Sequence, residues 1–291
     1  MNMTRRRALA IRFERRDILP LGLMSDSYVH GYQAREKERL RAQAGSLVDL
    51  LHWDTNYPAG SSVLEAGCGV GAQTVTLARR SPQARITSID ISPVSLAEAI
   101  EAVEEAGIAN VEFRQADIFA LPFPSESFDH VFVQFVLEHL SRPAAALGML
   151  KGLLKPGGSI TVIEGDHGSA YFHPDSSAAA AAIQSLVTLQ REAGGNALIG
   201  RQLHPLLVDA GFDRVIVSPR MVYVDSSRPD LVEGFTRNTF TAMIEGARDG
   251  AIGTGTIEAG NFDAGIRDLQ RTAGPGGVFC YTFFKGVATK V

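Results

Sequence analysis

The chain has 291 residues, 45% of them hydrophobic and 21% charged, with a formal net charge of -4. That length suits one large α/β domain with insertions or two smaller domains, and the apolar fraction can fill a substantial core, which excludes extensive disorder. The acidic balance excludes a general polyanion binder, because affinity for phosphate backbones needs clustered Lys and Arg.

The first sixty residues precede any sheet-like run. Arg5, Arg6, Arg7, Arg12, Arg15 and Arg16 stand there against only Glu14 and Asp17, and they read as a solvated tail rather than a nucleic-acid or membrane contact. No apolar signal core follows them and no run of about 18 apolar residues occurs, so the expected location is cytoplasmic. Cys68 and Cys280 are too few for a disulfide scaffold and fit a reducing compartment. The segment AREKERLRAQAGSLVDLLHWD, residues 34–54, has the apolar spacing of an amphipathic helix.

Apolar runs rich in Val, Ile and Phe then alternate with segments of helical period. Strands are predicted at VLEAG (63–67), RITSID (85–90), VEFRQAD (111–117), FDHVFVQF (128–135) and SITVIEG (159–165). Helices are predicted over AQTVTLARR, PVSLAEAIEAVEEAG and PAAALGMLKGLLKPGG, with Pro near helix starts and Gly after helix ends. Strand, helix, strand repetition implies crossovers and a parallel sheet wound on both faces. Residues 166–200 form a Gly, Ser and Ala-rich insertion with a helix in SSAAAAAIQSLVTLQREAGG. A helix over GRQLHPLLVDAG, a strand near RVIVSP, helices and loops over 228–273, and a last strand in GVFCYTFFKGVA complete the pattern.

The first strand runs into Gly67, Gly69 and Gly71. Glycines there let the chain turn sharply and let a ligand approach backbone N–H groups at the next helix. Gly67, Gly69 and Ala72 also fit the dinucleotide fingerprint, with Asp90 about twenty residues on as a ribose ligand. The choice between cofactors rests on Glu65. An ionised carboxylate so close to the loop repels a pyrophosphate and tolerates a sulfonium, unless it is taken up in capping a neighbouring helix or in pairing with an arginine.

Four stretches in order, VLEAGCGVGAQT, ITSIDIS, QADIFALPFPSESFDHVFVQFVLEHL and LLKPGGSITVIEGD, resemble the class I S-adenosylmethionine-dependent methyltransferases, in the branch that includes the ubiquinone and menaquinone C-methyltransferases. The resemblance covers about residues 61–165; YVHGY, IEGDHGSAYFHPDS and RMVYVDSS resemble an uncharacterised subgroup that offers no substrate. It implies a doubly wound, mostly parallel seven-stranded Rossmann-like sheet of order 3-2-1-4-5-7-6, its last strand antiparallel. An N-terminal arm with lid helices would occupy 1–60 and the cofactor-binding domain 61–291, with helical insertions at 166–200 and 226–275. About sixty residues separate RVIVSP from the last strand where a tight hairpin is common, which suggests a helical cap or a homo-oligomer interface.

Carried over by position, the resemblance puts Glu65, Ala66, Gly67, Cys68 and Gly69 around the methionine part of S-adenosyl-L-methionine, whose product is S-adenosyl-L-homocysteine. Asp90 would accept from both ribose hydroxyls and Ile91 would pack on the adenine. Asp117 and Ile118 would meet the adenine too, and Gln134 and Phe135 would lie beneath the reactive methyl. Tyr28 and Tyr32 are lid candidates or plain packing residues.

Methyl transfer is an in-line displacement, so alignment supplies much of the rate and a general base matters only for acceptors that must lose a proton. Glu164 and His167, after the fifth strand, are the base candidates beyond the carboxyl ends of the strands; alternatively, Asp166 and His167 hold the loop by hydrogen bonds. Acceptor contacts are expected from His139, Tyr171, Arg220 and Tyr223. Asp166, His167, His173 and Asp175 lack compact ligand spacing, so no metal is expected. QFVL stands where base-amine methyltransferases carry a D/N/S-P-P-aromatic motif, which points to a small-molecule acceptor. The alternatives are a nicotinamide-dependent oxidoreductase or a cofactor-binding interaction protein without transfer activity.

Overall fold

A computed structural model describes residues 47–291; Tyr28, Tyr32 and the N-terminal arginine cluster lie outside the described residues. Residues 47–52 are helical, and Leu47 and Leu51, on one face of that helix, are buried in the main core cluster. Strands β1 (Ser62–Ala66), β2 (Arg85–Asp90), β3 (Val111–Gln115), β4 (Phe128–Gln134) and β5 (Leu154–Gly165) follow. Helices α1 (Ala72–Arg80), α2 (Pro93–Glu105) and α3 (Pro143–Leu153) lie between them. Pro93 and Pro143 open their helices, where the missing N–H costs nothing, and the Ser92 hydroxyl accepts from Ser95 N.

These five strands are parallel neighbours in the order β3-β2-β1-β4-β5. Adjacent side chains on a strand face opposite layers. Val63, Phe132 and Ile163 therefore join one core cluster while Leu64, Val133 and Val162 join the other. Burial on both faces is why β1, β4 and the end of β5 read as apolar stretches, whereas β3 at the sheet edge is mostly exposed.

Further along come β6 (Tyr171–His173), α4 (Ser177–Glu192), α5 (Leu203–Asp209), β7 (Asp213–Val224) and β8 (Val278–Thr289). Strand β8 runs antiparallel between β5 and β7, as the resemblance implied. The sheet has eight strands rather than the seven expected. Strands β5 and β8 are both twelve residues long but pair only over Ser159–Gly165 and Phe283–Thr289, so β8 runs on past the end of β5 and β6 pairs the edge left at Val278–Cys280. Strand β7 also extends past RVIVSP: Met221, Val222, Tyr223 and Val224 alternate exposed and buried and stay in register with β8.

Between β7 and β8 the chain forms a π-helical segment (Val232–Thr241) and helices α6 (Ala242–Gly246), α7 (Arg248–Gly253) and α8 (Ala259–Thr272). Helix α8 lies against α4, where a side chain on Gly265 would strike the Ala178 carbonyl, and the Ser176 hydroxyl donates to Asp268. Phe235 and Phe240 of the π segment pack on Phe279, Tyr281 and Phe283 of β8. Among the described residues, no helix is long and apolar enough to cross a membrane.

Candidate functional site

A cavity of about 300 Å³ opens at the carboxyl ends of β1, β2 and β4, where the strand order reverses, the usual place for ligands of open α/β sheets. Gly67, Gly69 and Gly71 all take left-handed backbone angles. A Cβ on Gly67 would run into Val136 and one on Gly71 into the Ala99 backbone, while Gly69 faces open space. The loop thus packs tightly at two glycines and leaves the third clear beside the cavity. Helix α1 starts at Gly71 without a side-chain cap, so its first N–H groups are available to a ligand.

Asp90 anchors this loop: its carboxylate accepts from Gly69 N at 2.8 Å and from Ser92 N at 2.9 Å. Burial raises its pKa above the ordinary value, opposed by those N–H donors. Glu65 is buried and accepts from the hydroxyls of Thr74 and Ser88 at 2.7 and 2.6 Å, both on Oε2. Burial pushes its carboxyl up to about 7, against the pull of the two hydroxyls. The bond to Thr74 ties Glu65 to α1, yet Glu65 still lines the cavity. Asp117 accepts from Phe119 N at 2.8 Å, and Ile91, Asp117 and Ile118 line the same opening. Ala66 is buried in β1 behind the loop and is not in the wall.

Gln134 and Phe135 form the floor after β4. Both the amide nitrogen and oxygen of Gln134 are buried without a protein hydrogen-bond partner among the described residues, a cost relieved when a ligand or an ordered water supplies the partners. Phe135 sits at φ 55, a left-handed angle uncommon for a bulky residue, and such strain gathers at binding sites. The cavity wall contains Glu65, Asp90, Asp117 and Glu138 but no lysine or arginine among the described residues.

Beyond Phe135 the cavity continues toward His167, Tyr281 and Phe283, roofed by Phe235, Thr239, Phe240 and Met243 from the insertion before β8. His167 Nδ1 lies 2.6 Å from the Tyr281 hydroxyl and its Nε2 lies 3.8 Å from a Glu138 oxygen. Glu138 also accepts from Gln190 Nε2 at 3.1 Å and lies 3.7 Å from His139. Tyr281 has its pKa pushed well up, first by burial and then by the charge of Glu138.

The remaining expected residues sit elsewhere. Glu164 is fully buried and accepts from Val136 N and Leu137 N at 3.0 and 2.8 Å, which holds the turn after β4, and its pKa is well raised by burial and by Glu138. Asp166 forms a two-pronged pair with Arg201. Tyr171 is 70% exposed on β6 and Tyr223 is exposed on β7, each on the side of its strand away from the core. Arg220 pairs with Asp54 and stacks over Trp53. None of these three lines the cavity, because strand alternation sends Tyr223 outward and the Asp54 carboxylate holds Arg220 at the helix preceding β1.

Sequence reasoning chose His139 from the FVLEHL stretch and passed over its neighbour Glu138; it also missed Tyr281 and the π-segment aromatics. Alternation along GVFCYTFFKGVA shows Phe279, Tyr281 and Phe283 sharing a buried face. Nothing in it brings Tyr281 to His167, 114 positions earlier.

The Methyltransferase domain family model matches residues 64–162. An uncharacterised 37.1 kDa protein in transposon Tn4556 of Streptomyces fradiae is 35% identical over 190 residues, 64% of this chain and 54% of that one. Demethylmenaquinone methyltransferase of Thermus thermophilus is 36% identical over 106 residues, 36% of this chain and 48% of that enzyme. The chain thus spans about half the length of these two relatives. Among solved structures, phosphoethanolamine N-methyltransferase 2 of Haemonchus contortus, bound to phosphomonomethylethanolamine and S-adenosylhomocysteine, shares the fold at TM-score 0.53 and 19% identity, over 84% of this chain and 52% of that one.

Proposed function

Since residues 64–162 match the Methyltransferase domain family, we propose that this chain is a class I S-adenosylmethionine-dependent methyltransferase that transfers the methyl group of S-adenosylmethionine to a small organic acceptor. The observation that carries this reading is the make-up of the cavity wall: four carboxyl groups, an unpartnered buried amide at Gln134, and no lysine or arginine among the described residues. Such a wall suits a sulfonium and an ammonium and disfavours a pyrophosphate, which argues against the nicotinamide alternative.

In this reading the Gly69 opening and Glu65 hold the methionine end, Asp90 takes the ribose hydroxyls, Asp117 and Ile118 meet the adenine, and Gln134 pairs with the methionine end from below. Bound there, the cofactor supplies an electrophilic methyl carbon on a good leaving group. The protein's part is to hold the acceptor in line with it beside Phe135, an alignment that can lower the barrier by about 7 to 11 kcal/mol. The continuation of the cavity toward His167 gives the acceptor a place and argues against a binding-only role. Calorimetry is expected to show S-adenosylmethionine and S-adenosylhomocysteine binding with no NADH fluorescence enhancement; the reverse pattern overturns the assignment.

Glu65 gives this binding a pH dependence. Its raised value means that its contribution to stability is full below the unfolded value of 4.5 and is lost as pH climbs through about 7. A cation beside Glu65 favours the ionised form and offsets that loss. The rise in melting temperature caused by S-adenosylmethionine is therefore expected to grow between pH 5.5 and 8, with binding releasing protons below neutrality. In Glu65→Gln the growth should flatten, and an equal slope in both proteins would exclude Glu65 from the cation site.

A further inference from the structure

The acceptor end of the cavity holds a polar chain within an apolar shell. Phe135, Phe235, Phe240, Phe283 and Met243 supply flat, hydrophobic walls. Against them stand Tyr281, His167 and Glu138, in line through the 2.6 Å contact at Nδ1 and the 3.8 Å approach at Nε2. The backbone makes room for this chain: a Cβ on Gly165 would collide with the Tyr281 hydroxyl. Glu138 is itself held by Gln190 of α4, whose side-chain amide donates to the carboxylate.

With Glu138 beside Nε2, the favoured tautomer carries its proton on Nε2, which leaves Nδ1 to accept from the Tyr281 hydroxyl. A carboxylate behind a histidine stabilises the imidazolium once a second proton arrives. Resting on the methyl-transfer reading above, we propose that the acceptor is a small, flat, apolar molecule methylated on an acidic hydroxyl, a phenol or enol, and that Tyr281 relays its proton to His167 with Glu138 as the positioning residue. The acceptor O–H bond breaks and its proton passes to the Tyr281 oxygen as the tyrosine proton moves to Nδ1. The new O–CH3 bond forms as the carbon leaves sulfur, whose electron pair stays on the thioether. The sulfonium charge ends on the imidazolium. An amine acceptor arriving as an ammonium would instead place a cation against the same histidine. The other charged groups near His167 are His139 on the turn after β4, buried Glu164, and Asp166, which Arg201 neutralises.

The test uses 4-nitrophenol, whose phenolate is yellow, added to the full chain saturated with S-adenosylhomocysteine, so that no turnover is needed. Calorimetry of S-adenosylhomocysteine is run first on wild type, Tyr281→Phe and Glu138→Gln; no binding to wild type would sink the methyl-transfer reading itself. With each protein saturated with S-adenosylhomocysteine at its own measured affinity, wild type should bind 4-nitrophenol and shift its ionisation at least tenfold toward phenolate. That shift should vanish in Tyr281→Phe and shrink in Glu138→Gln. A phenol that does not bind, or whose colour change with pH is the same in wild type and Tyr281→Phe, overturns the relay while leaving the cofactor assignment standing. With S-adenosylmethionine, 4-methoxynitrobenzene should form and 4-nitroaniline should not be methylated; preference for the amine also overturns the proposal.

Discussion

Asp90→Ala is expected to weaken S-adenosylhomocysteine binding at least about a hundredfold, a loss of about 3 kcal/mol. The carboxylate does two things at once. It accepts from Gly69 N and Ser92 N, which sets the loop and the start of α2, and in the proposed complex it accepts from both ribose hydroxyls. Hydrogen bonds to a charged group contribute about 1.5 to 3 kcal/mol each, so losing the pair and loosening the loop together account for the estimate. Asp90→Asn keeps one acceptor oxygen and should fall between alanine and wild type. Titration calorimetry on the three proteins, each checked for an intact melting transition, decides the matter; alanine binding as wild type does removes Asp90 from the site.

Asp54→Ala is expected to destabilise the fold by about 3 kcal/mol without any contact to the cavity. The Asp54 carboxylate lies 2.6 Å from Lys285 Nζ and 2.5 Å from Arg220 Nη2. Lys285 is only 2% exposed and Arg220 8%. Removing the anion leaves two buried cations facing each other across the junction between the helix preceding β1 and the β7–β8 pair. Asp54 itself keeps 30% of its side chain in water, which is why the lower end of the range for a broken buried pair applies.

The pH dependence of that variant has a definite sign. Burial already lowers the Lys285 pKa from 10.5, against the pull of Asp54, and removing Asp54 lowers it further. A lysine depressed in the folded state binds fewer protons there than when unfolded, so the variant should recover stability as pH rises toward 10.5. Melting curves between pH 7 and 9.5 test this. Lys285 Nζ also donates to the Thr55 hydroxyl at 2.6 Å, and a deficit under 1 kcal/mol, or one that does not shrink with pH, would mean that Thr55 and solvent satisfy Lys285 without Asp54.

The helices over 72–80 and 93–105 were legible to within a residue or two at their ends because proline and glycine punctuate their boundaries. Strands β1, β4 and β5 were legible because burial on both faces leaves apolar runs, and β2 and β3 because they alternate with helical segments. The sixth short strand was not. Tyr171–His173 pairs only because β8 is staggered against β5 and leaves its start without a β5 partner. Nor could the exposed side of β7 be assigned, and Tyr223, expected at the acceptor, lies away from the cavity for that reason, whereas buried Arg220 is held away by its pair with Asp54.

The sequence alone determined the α/β layering, the glycine bend between β1 and α1, and the acidic residues around it, because these depend on contacts within a few tens of residues and on backbone angles that only glycine takes easily. The tertiary structure decided the end of the cavity proposed for the acceptor. Glu138, His167 and Tyr281 come from a turn after β4, the loop after β5 and the last strand, and their meeting depends on antiparallel β8 inserting beside β5. Side-chain chemistry at such range leaves no local period or spacing to read; only the packed sheet brings the three groups within reach of one another.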